Sequence, residues 1–394
     1  AKTSVKRSAG TGTGWPLFPF SGATTKEGQK INGHTAFKIS GFWCAVNTIA
    51  NSVALLPKSV FQEIGDNKDR DMDHAVDYLV HSEPNSYMTA FTFWFIMTVA
   101  MLVKGNAYAY IVRSNSGEVI QLRFMHPEDV GIIERENQLF YKYKGATFFS
   151  WEVLHIPLFS FNGVNGRSVI QYAADNLGVS LAANEFAANA YNDRGVAYGV
   201  LESDKVINNV GSKNLQSHFN NAMNNNSKYK LAVFDEGLKY KRISLAPNEA
   251  QFIEAQVNGV EDLARWFQIP LHKLHAKGEG GYNFLVQMSI EYLQTAVMPI
   301  GQRIKQECER KLFTTAERKA GYFIFNNYKK LLEADPAARG QYYKDMVYIK
   351  AMNPNEVRRL EGYNPYKGGD EFLQMTNLLT QEQIQKDLKD GKAA

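Results

Sequence analysis

The feature that most limits what this chain can fold into is a pair of long helical-period stretches, residues 168–194 and 248–267, on either side of a module with shorter periods. The first runs SVIQYAADNLGVSLAANEFAANAYNDR without a proline, and Gly195 supplies a stop. At 1.5 Å per residue such a helix is roughly 40 Å long. Alanines at 173, 174, 182, 183, 187, 188 and 190 give it small side chains, which let another helix approach closely. The second stretch carries an apolar stripe at Phe252, Ile253, Val257, Val260, Leu263, Ala264 and Phe267. Asn248 with Gln251 suits a capping box, and Pro270 closes the helix. Residues 196–245 between them read as a strand (AYGVLES), a helix, and two strands (YKLAVFD and KYKRISL) joined at Glu236-Gly237. The pattern predicts two rigid rods that bracket a compact insert.

The flanking segments predict an α+β body. Apolar residues at Phe42, Val46, Ile49, Val53 and Leu56 recur at helical spacing, Pro57 ends that helix, and KSVFQEI follows as a strand. Residues 73–81 suit a short helix. Thr89 is placed to cap an apolar helix that stops at Gly105. Alternation over Ala107–Arg113 and Glu118–Phe124, joined by Ser114-Asn115-Ser116-Gly117, predicts a hairpin. Short strands are expected at Val130–Glu134, Leu139–Lys144, Glu152–Ile156 and Tyr322–Phe325. A third long helix is expected from Asn283 to about Phe313, kinked by Pro299. The tail from Asp335 reads as helical, broken at Asn353-Pro354, Asn364-Pro365 and Gly368-Gly369.

Composition narrows the function classes. The 394 residues are 44% hydrophobic and 12% aromatic, enough for a sizeable core. Forty-four basic residues against 40 acidic ones give a net +4, far from the dense footprint of a tight nucleic-acid binder. Cys44 and Cys308 form no disulfide framework and fit a reducing compartment. The longest apolar run, Ala90–Val103, falls short of the ~20 residues a membrane span needs. Residues 1–35 are rich in Gly, Ser, Thr and Lys around one apolar island, Trp15–Phe20, and read as a flexible arm with an anchoring patch. Since the first residue is not Met, trimming stays open. No phosphate loop, zinc helix or nucleophile elbow occurs. His272 and His275 are three apart but lie beside glycines. Asp69, Asp71 and Asp73 imitate a calcium loop whose sixth position is His74 and whose last is Val80. No cofactor, metal or catalytic residue is expected.

Six segments carry a family resemblance. They are FWCAVNTIANSVALLPKSVF, HSEPNSYMTAFTFW, MLVKGNAYAYIVRSNSGEVIQLRFMHPEDV, HIPLFSFNGVNGRSVI, DLARWFQIPLHKL and NPNEVRRLEGYNPYKGGD. In this order and spacing, from about Phe42 to Asp370, the chain resembles the portal proteins of long-tailed bacteriophages. That resemblance implies a portal fold with wing, two-helix stem, small α/β clip, tunnel loop and short helical crown. The wing would be 36–166, the stem helices 167–195 and 247–269, and the clip 196–246. The tunnel loop would be 270–282, the kinked wing helix and strand 283–334, and the crown and tail 335–394. It implies a non-enzymatic ring at one capsid vertex of the virion, a dodecamer assembled in the host cytoplasm, through which DNA is packaged and ejected. Its partners would be further copies of itself, double-stranded DNA read without sequence preference, the terminase large subunit, a head–tail adaptor and the major capsid or scaffold protein, with no membrane.

Charge is consistent with a conduit. Strong phosphate contacts sum into tight, salt-dependent binding, which a translocation channel must avoid. The expected tunnel loop, with His272, Lys273, His275, Lys277 and the glycines Gly278, Gly280 and Gly281, has a net charge of only +1. Lys273 and Lys277 would touch the duplex and the glycines would let the loop move. A generic surface loop is the other reading. In the insert seven basic residues oppose four acidic ones. Lys228, Lys230, Lys239, Lys241 and Arg242 are the candidates for motor docking, with a plain solvated module as the alternative. Ala183, Ala187, Val257, Trp266 and Phe267 are candidates for the subunit interface, or else they pack inside one subunit. Another ring-forming virion adaptor and, further off, a nucleic-acid-processing hydrolase remain as competing functions.

Overall fold

Residues 42, 46, 49 and 53 recur every three or four positions. In the computed structural model they line the buried face of α2 (Ser40–Leu55), behind a single turn, α1 (Gly33–Ala36). The structure describes residues 23–25, 30–65, 67–136, 138–191, 199–202, 239–242, 249–275, 282–331 and 336–372. Pro57 turns the chain into β3 (Lys58–Ile64), which pairs antiparallel with the polar strand β4 (Asn67–Arg70). α3 (Ala75–His81) then leads to α4 (Ala90–Lys104). Thr89 caps α4 by accepting from the Thr92 N–H at 3.3 Å, and Gly105 ends it at φ +79°. α2 packs along α4, and Phe42, Ile49, Val53, Phe93, Trp94, Met97 and Met101 form the centre of the main core.

The predicted hairpin is β5 (Asn106–Arg113) with β6 (Val119–Met125). β10 (Val153–Pro157) adds on the other side of β5. A second antiparallel sheet is formed by β7 (Val130–Arg135), β8 (Gln138–Tyr143) and β9 (Ala146–Phe149). Tyr108, Met125, Val130, Ile132, Tyr141 and Val153 make a smaller core between the two sheets. Further short pairs are β1 (Ala23–Thr24) with β2 (Lys30–Ile31) and β11 (Phe159–Ser160) with β12 (Gly166–Arg167). The strands β1, β2, β4, β9, β11 and β12 and the turn α1 have no counterpart among the expected elements, the first two lying within the segment expected as a flexible arm.

The expected single rod over 168–194 is interrupted. A four-residue turn, α5 (Val169–Tyr172), is separated by Ala173 (φ −89°, ψ 9°) from α6 (Ala174–Tyr191). The two pieces have different anchors. α5 is tied to the body by Ser168, whose hydroxyl donates to the Val103 carbonyl at 2.5 Å, and by buried Ile170, whereas α6 follows its helical partner. Past residue 191, the next described elements are β13 (Gly199–Glu202) and β14 (Lys239–Arg242), paired antiparallel, and then α7 (Glu249–Phe267). Asn248, the expected cap of α7, lies outside the described residues.

The third long helix also departs from expectation in detail. It consists of α8 (Tyr282–Tyr292), a π-helical turn over Leu293–Val297, and α9 (Met298–Leu312). Pro299 has no N–H to give to an i−4 carbonyl, and the ladder just before it widens so that Met298 N–H bonds Leu293 O. After the short helix α10 (Thr315–Lys319), β15 (Tyr322–Asn326) returns to pair with β3 and completes that sheet. α11 (Pro336–Tyr348) and α12 (Pro354–Leu360) follow.

Candidate functional site

Paired helices form the first part of the site. Asn176 Nδ2 donates to Asp262 Oδ2 at 2.8 Å, and a Cβ on Gly259 would sit 3.0 Å from Ser180 Oγ, so α6 and α7 run antiparallel. A glycine at that crossing, as well as the alanines, brings the backbones together. In the described part of α7's apolar stripe, burial lies near the C-terminal end. Leu263, Ala264 and Phe267 are in the core, and Phe267 stacks edge-on against Phe42 at 5.4 Å. Phe267 therefore packs inside the subunit, which removes it from the candidate subunit interface. Val257 and Trp266 are 52% and 40% exposed and stay available for one. Ala183 is half-buried beside Gly259 and Val260, and Ala187 lies on the backbone of α6. Beyond the helices, β13 and β14 place the outgoing and returning chain side by side, with Glu202 in register with Lys239 and Val200 with Lys241. Lys239, Lys241 and Arg242 are thus in a two-stranded ladder, while Lys228 and Lys230 lie outside the described residues.

The loop after α7 starts from a tight end. Gln268 adopts φ +54° and Ile269 N–H reaches back to Ala264 O at 2.9 Å, the six-to-one bond of a Schellman cap. Pro270 then begins a 3-10 turn, Leu271–Leu274, and His275 ends it at φ +55°. His272 and His275 consequently do not share an α-helical face. His275 is exposed. His272 Nε2 is buried without a hydrogen-bond partner among the described residues, and burial together with the Lys273 charge lowers the basicity of the ring. Lys273 Nζ sits 5.5 Å from the centre of the Tyr292 ring. Tyr292 in turn donates to Ser52 Oγ at 2.8 Å. This lysine is held against the body of the protein. Lys277, Gly278, Gly280 and Gly281 lie outside the described residues.

Two of the resembling segments converge at one point, together with Tyr141 from between them. A Cβ on Gly166 would fall 1.9 Å from Gly105 O, and one on Gly105 would fall 2.5 Å from Arg167 C. Only glycines permit this backbone crossing. Asn106 locks it, with Oδ1 accepting from Gly166 N–H at 2.8 Å and Nδ2 donating to Gly166 O at 2.9 Å. The same Oδ1 accepts from His155 Nε2 at 3.0 Å, and His155 Nδ1 accepts from the Tyr141 hydroxyl at 3.0 Å. Burial, reinforced by Lys311 and Arg310, pushes the imidazole down to about 3. It is neutral with both nitrogens engaged, so it serves as a strut rather than as a general base.

The Asn-Pro-Asn-Glu-Val-Arg segment is likewise a hydrogen-bonded clamp. Asn353 and Glu356 form a reciprocal capping box at the start of α12, with both bonds 2.9 Å. Buried Asn355 brackets Tyr366, accepting from its N–H and donating to its carbonyl, each at 2.9 Å. Arg358 lies 5.5 Å from the Tyr363 ring and 5.6 Å from the Tyr366 ring.

Among the described residues no group of three or more His, Cys, Asp or Glu side chains could hold a metal, and no helix is long and apolar enough to cross a membrane. Asp71, from the imitation calcium loop, instead accepts from Asp73 and His74 N–H groups.

Residues 40–362 match the family model of phage portal proteins. The portal protein of Enterobacteria phage HK97 is 26% identical over 370 residues, which cover 90% of this chain and 87% of that protein. A crystal structure of an HK97-family phage portal protein from Corynebacterium diphtheriae superposes with a TM-score of 0.60 at 18% identity, covering 80% of this chain and 99% of that one. The neck of a native gene transfer agent particle, computed with C12 symmetry, superposes with a TM-score of 0.55 at 17% identity over 84% of this chain and 92% of that one. At those identities the two structures speak for a shared fold.

Proposed function

The chain belongs to the phage portal protein family, and from that premise we propose that it is the subunit of a closed ring at one capsid vertex of the virion, through which double-stranded DNA enters and leaves. The observation that carries this reading is the antiparallel pair α6 and α7, which pass the chain to and from the β13–β14 ladder at the same end. Copies set side by side would present these pairs as the wall of a passage, with the insert at one mouth. Such a ring is heterologous and must close. Twelve copies are the expected number, as in the C12 symmetry of the gene transfer agent neck. The loop after α7 would face the duplex with its net +1 charge, a field too shallow to hold DNA in place.

The role is structural rather than enzymatic. Residues 196–246 dock the terminase large subunit and later the head–tail adaptor. The α+β body meets the capsid or scaffold protein, and assembly takes place in the host cytoplasm. Replacing residues 203–238 by a short Gly-Ser linker tests the docking role in a packaging assay with purified terminase. Rings should still form while DNA uptake falls to background. Undiminished uptake would contradict it.

A further inference from the structure

Arg358 sits in the α12 clamp with its outer edge unused. Its Nε donates to Asn364 O at 2.8 Å, and its guanidinium lies against the rings of Tyr363 and Tyr366. Among the described residues neither terminal nitrogen of the guanidinium has a hydrogen-bond partner, and neither does the hydroxyl of Tyr363 or of Tyr366. The two rings are 63% and 51% exposed, so filling a core does not account for them. The cluster is held in place from below. Tyr363 N–H bonds Arg358 O at 2.7 Å, and Asn355 fixes both backbone groups of Tyr366. A Cβ on Gly369 would fall 2.4 Å from Asn355 Oδ1 and 2.7 Å from the Tyr366 ring, so the chain that follows folds back onto the same clamp. A guanidinium fixed through its Nε and two rings has little freedom left to lose when its fork is used.

The carboxylates of this segment are mostly engaged. Glu356 closes the capping box, Glu361 pairs with Arg339 at 2.7 Å, and Asp370 pairs with Arg359 at 3.4 Å. From Asn353 to Glu371, among the described residues, that leaves Arg358 and the exposed Lys367 against Glu371 alone. An aimed cationic fork, two phenol hydroxyls beside it and a nearby lysine make up the chemistry of a phosphate contact. We propose that Arg358, with Tyr363, Tyr366 and Lys367, holds one phosphodiester group of double-stranded DNA on each subunit. The inference rests on the proposed function for the choice of polyanion, since that reading brings a duplex to the protein. It concerns elements other than the loop after α7 and the insert. No base edge is read, so the contact is blind to sequence. One phosphate per copy gives a hold that is weak and sensitive to salt.

Fluorescence anisotropy of a labelled DNA duplex with the purified full-length protein, titrated between about 50 and 200 mM salt, tests it. Arg358→Ala should raise the dissociation constant about tenfold. The slope of log affinity against log salt should become shallower by about 0.9 for each subunit engaged. Arg358→Lys keeps the charge without the fork and should recover only part of the affinity. Both changes also remove the bond to Asn364 O, so Lys367→Ala and the Tyr363→Phe, Tyr366→Phe double variant are measured beside them. These two leave every bond of the clamp in place and should weaken binding with the melting temperature unchanged. Affinity equal to the parent's in any of these variants would overturn the inference, as would polyglutamate of matched charge displacing the protein as well as unlabelled DNA does. Closed rings together with either of those results would leave the proposed function standing, whereas the expected binding by a protein that forms no ring would count against the proposed function alone.

Discussion

At His155 both ring nitrogens are engaged by neighbours, and burial holds the imidazole neutral down to about pH 3. In the unfolded chain the same ring binds a proton below about pH 6.5. Its folded pKa is depressed, so its contribution is fully present above pH 6.5 and is lost as the pH falls toward 3, by about 1.4 kcal/mol per unit. Denaturant unfolding at pH 7, 5.5 and 4.5 should show this slope, and His155→Gln should flatten it; an equal slope in the variant would contradict the assignment. Glycine effects separate in the same way. Gly166→Ala drives a Cβ to 1.9 Å from a backbone oxygen and should cost more than about 4 kcal/mol or prevent folding. Gly117→Ala, at φ +88° in open space, should cost only about 1–2 kcal/mol. None of the His155 network was visible in the sequence, because Asn106, Tyr141, His155 and Gly166 stand on four different strands, β5, β8, β10 and β12, and no local period links them. The motif letters were legible; their joint purpose was not.

Elements with a local cause could be read ahead of the structure. The Thr89 cap, the Gly105 stop, the hairpin at Gly117 and the strand after Pro57 each follow from one or two residues, and each is present. Elements that depend on partners could not. β4 is exposed along its whole length and exists because it pairs with β3. The break at Ala173 separates a turn fixed to the body from a helix fixed to α7, and no proline or glycine marks it. The end of α2 adds a feature of the same kind. Lys58 is buried and donates to Val53 O at 2.9 Å and to Leu56 O at 3.2 Å, satisfying carbonyls that the helix leaves open. Burial lowers its pKa to about 7. A depressed lysine favours folding more as the pH rises, so stability should increase between pH 7 and about 10 in the native protein. Lys58→Met should remove that rise and cost about 1–3 kcal/mol through the unpaired carbonyls, measured by thermal and denaturant unfolding across that range. A variant as stable as the parent with the same pH profile would refute the capping role.

For the whole molecule, what was expected and what is present agree on a mixed helix-and-sheet portal fold, and the family match spans residues 40–362. The corrections are local: Phe267 faces inward, Lys273 rests on Tyr292, and the long helices are segmented. On the proposed function, the DNA-facing role would fall to the part of the loop beyond His275. Lys277→Ala should therefore slow packaging more than Lys273→Ala, and the double variant should leak packaged DNA. Equal effects of the two single changes in a filling assay would argue against that ranking. The assembly itself is tested by electron microscopy of the purified full-length protein in vitreous ice. A closed ring of about twelve copies, with α6 and α7 of each copy along an open axial passage that admits a DNA duplex, is the predicted result. Particles without an axial passage, or rings whose passage is lined by some other part of the chain, would contradict it.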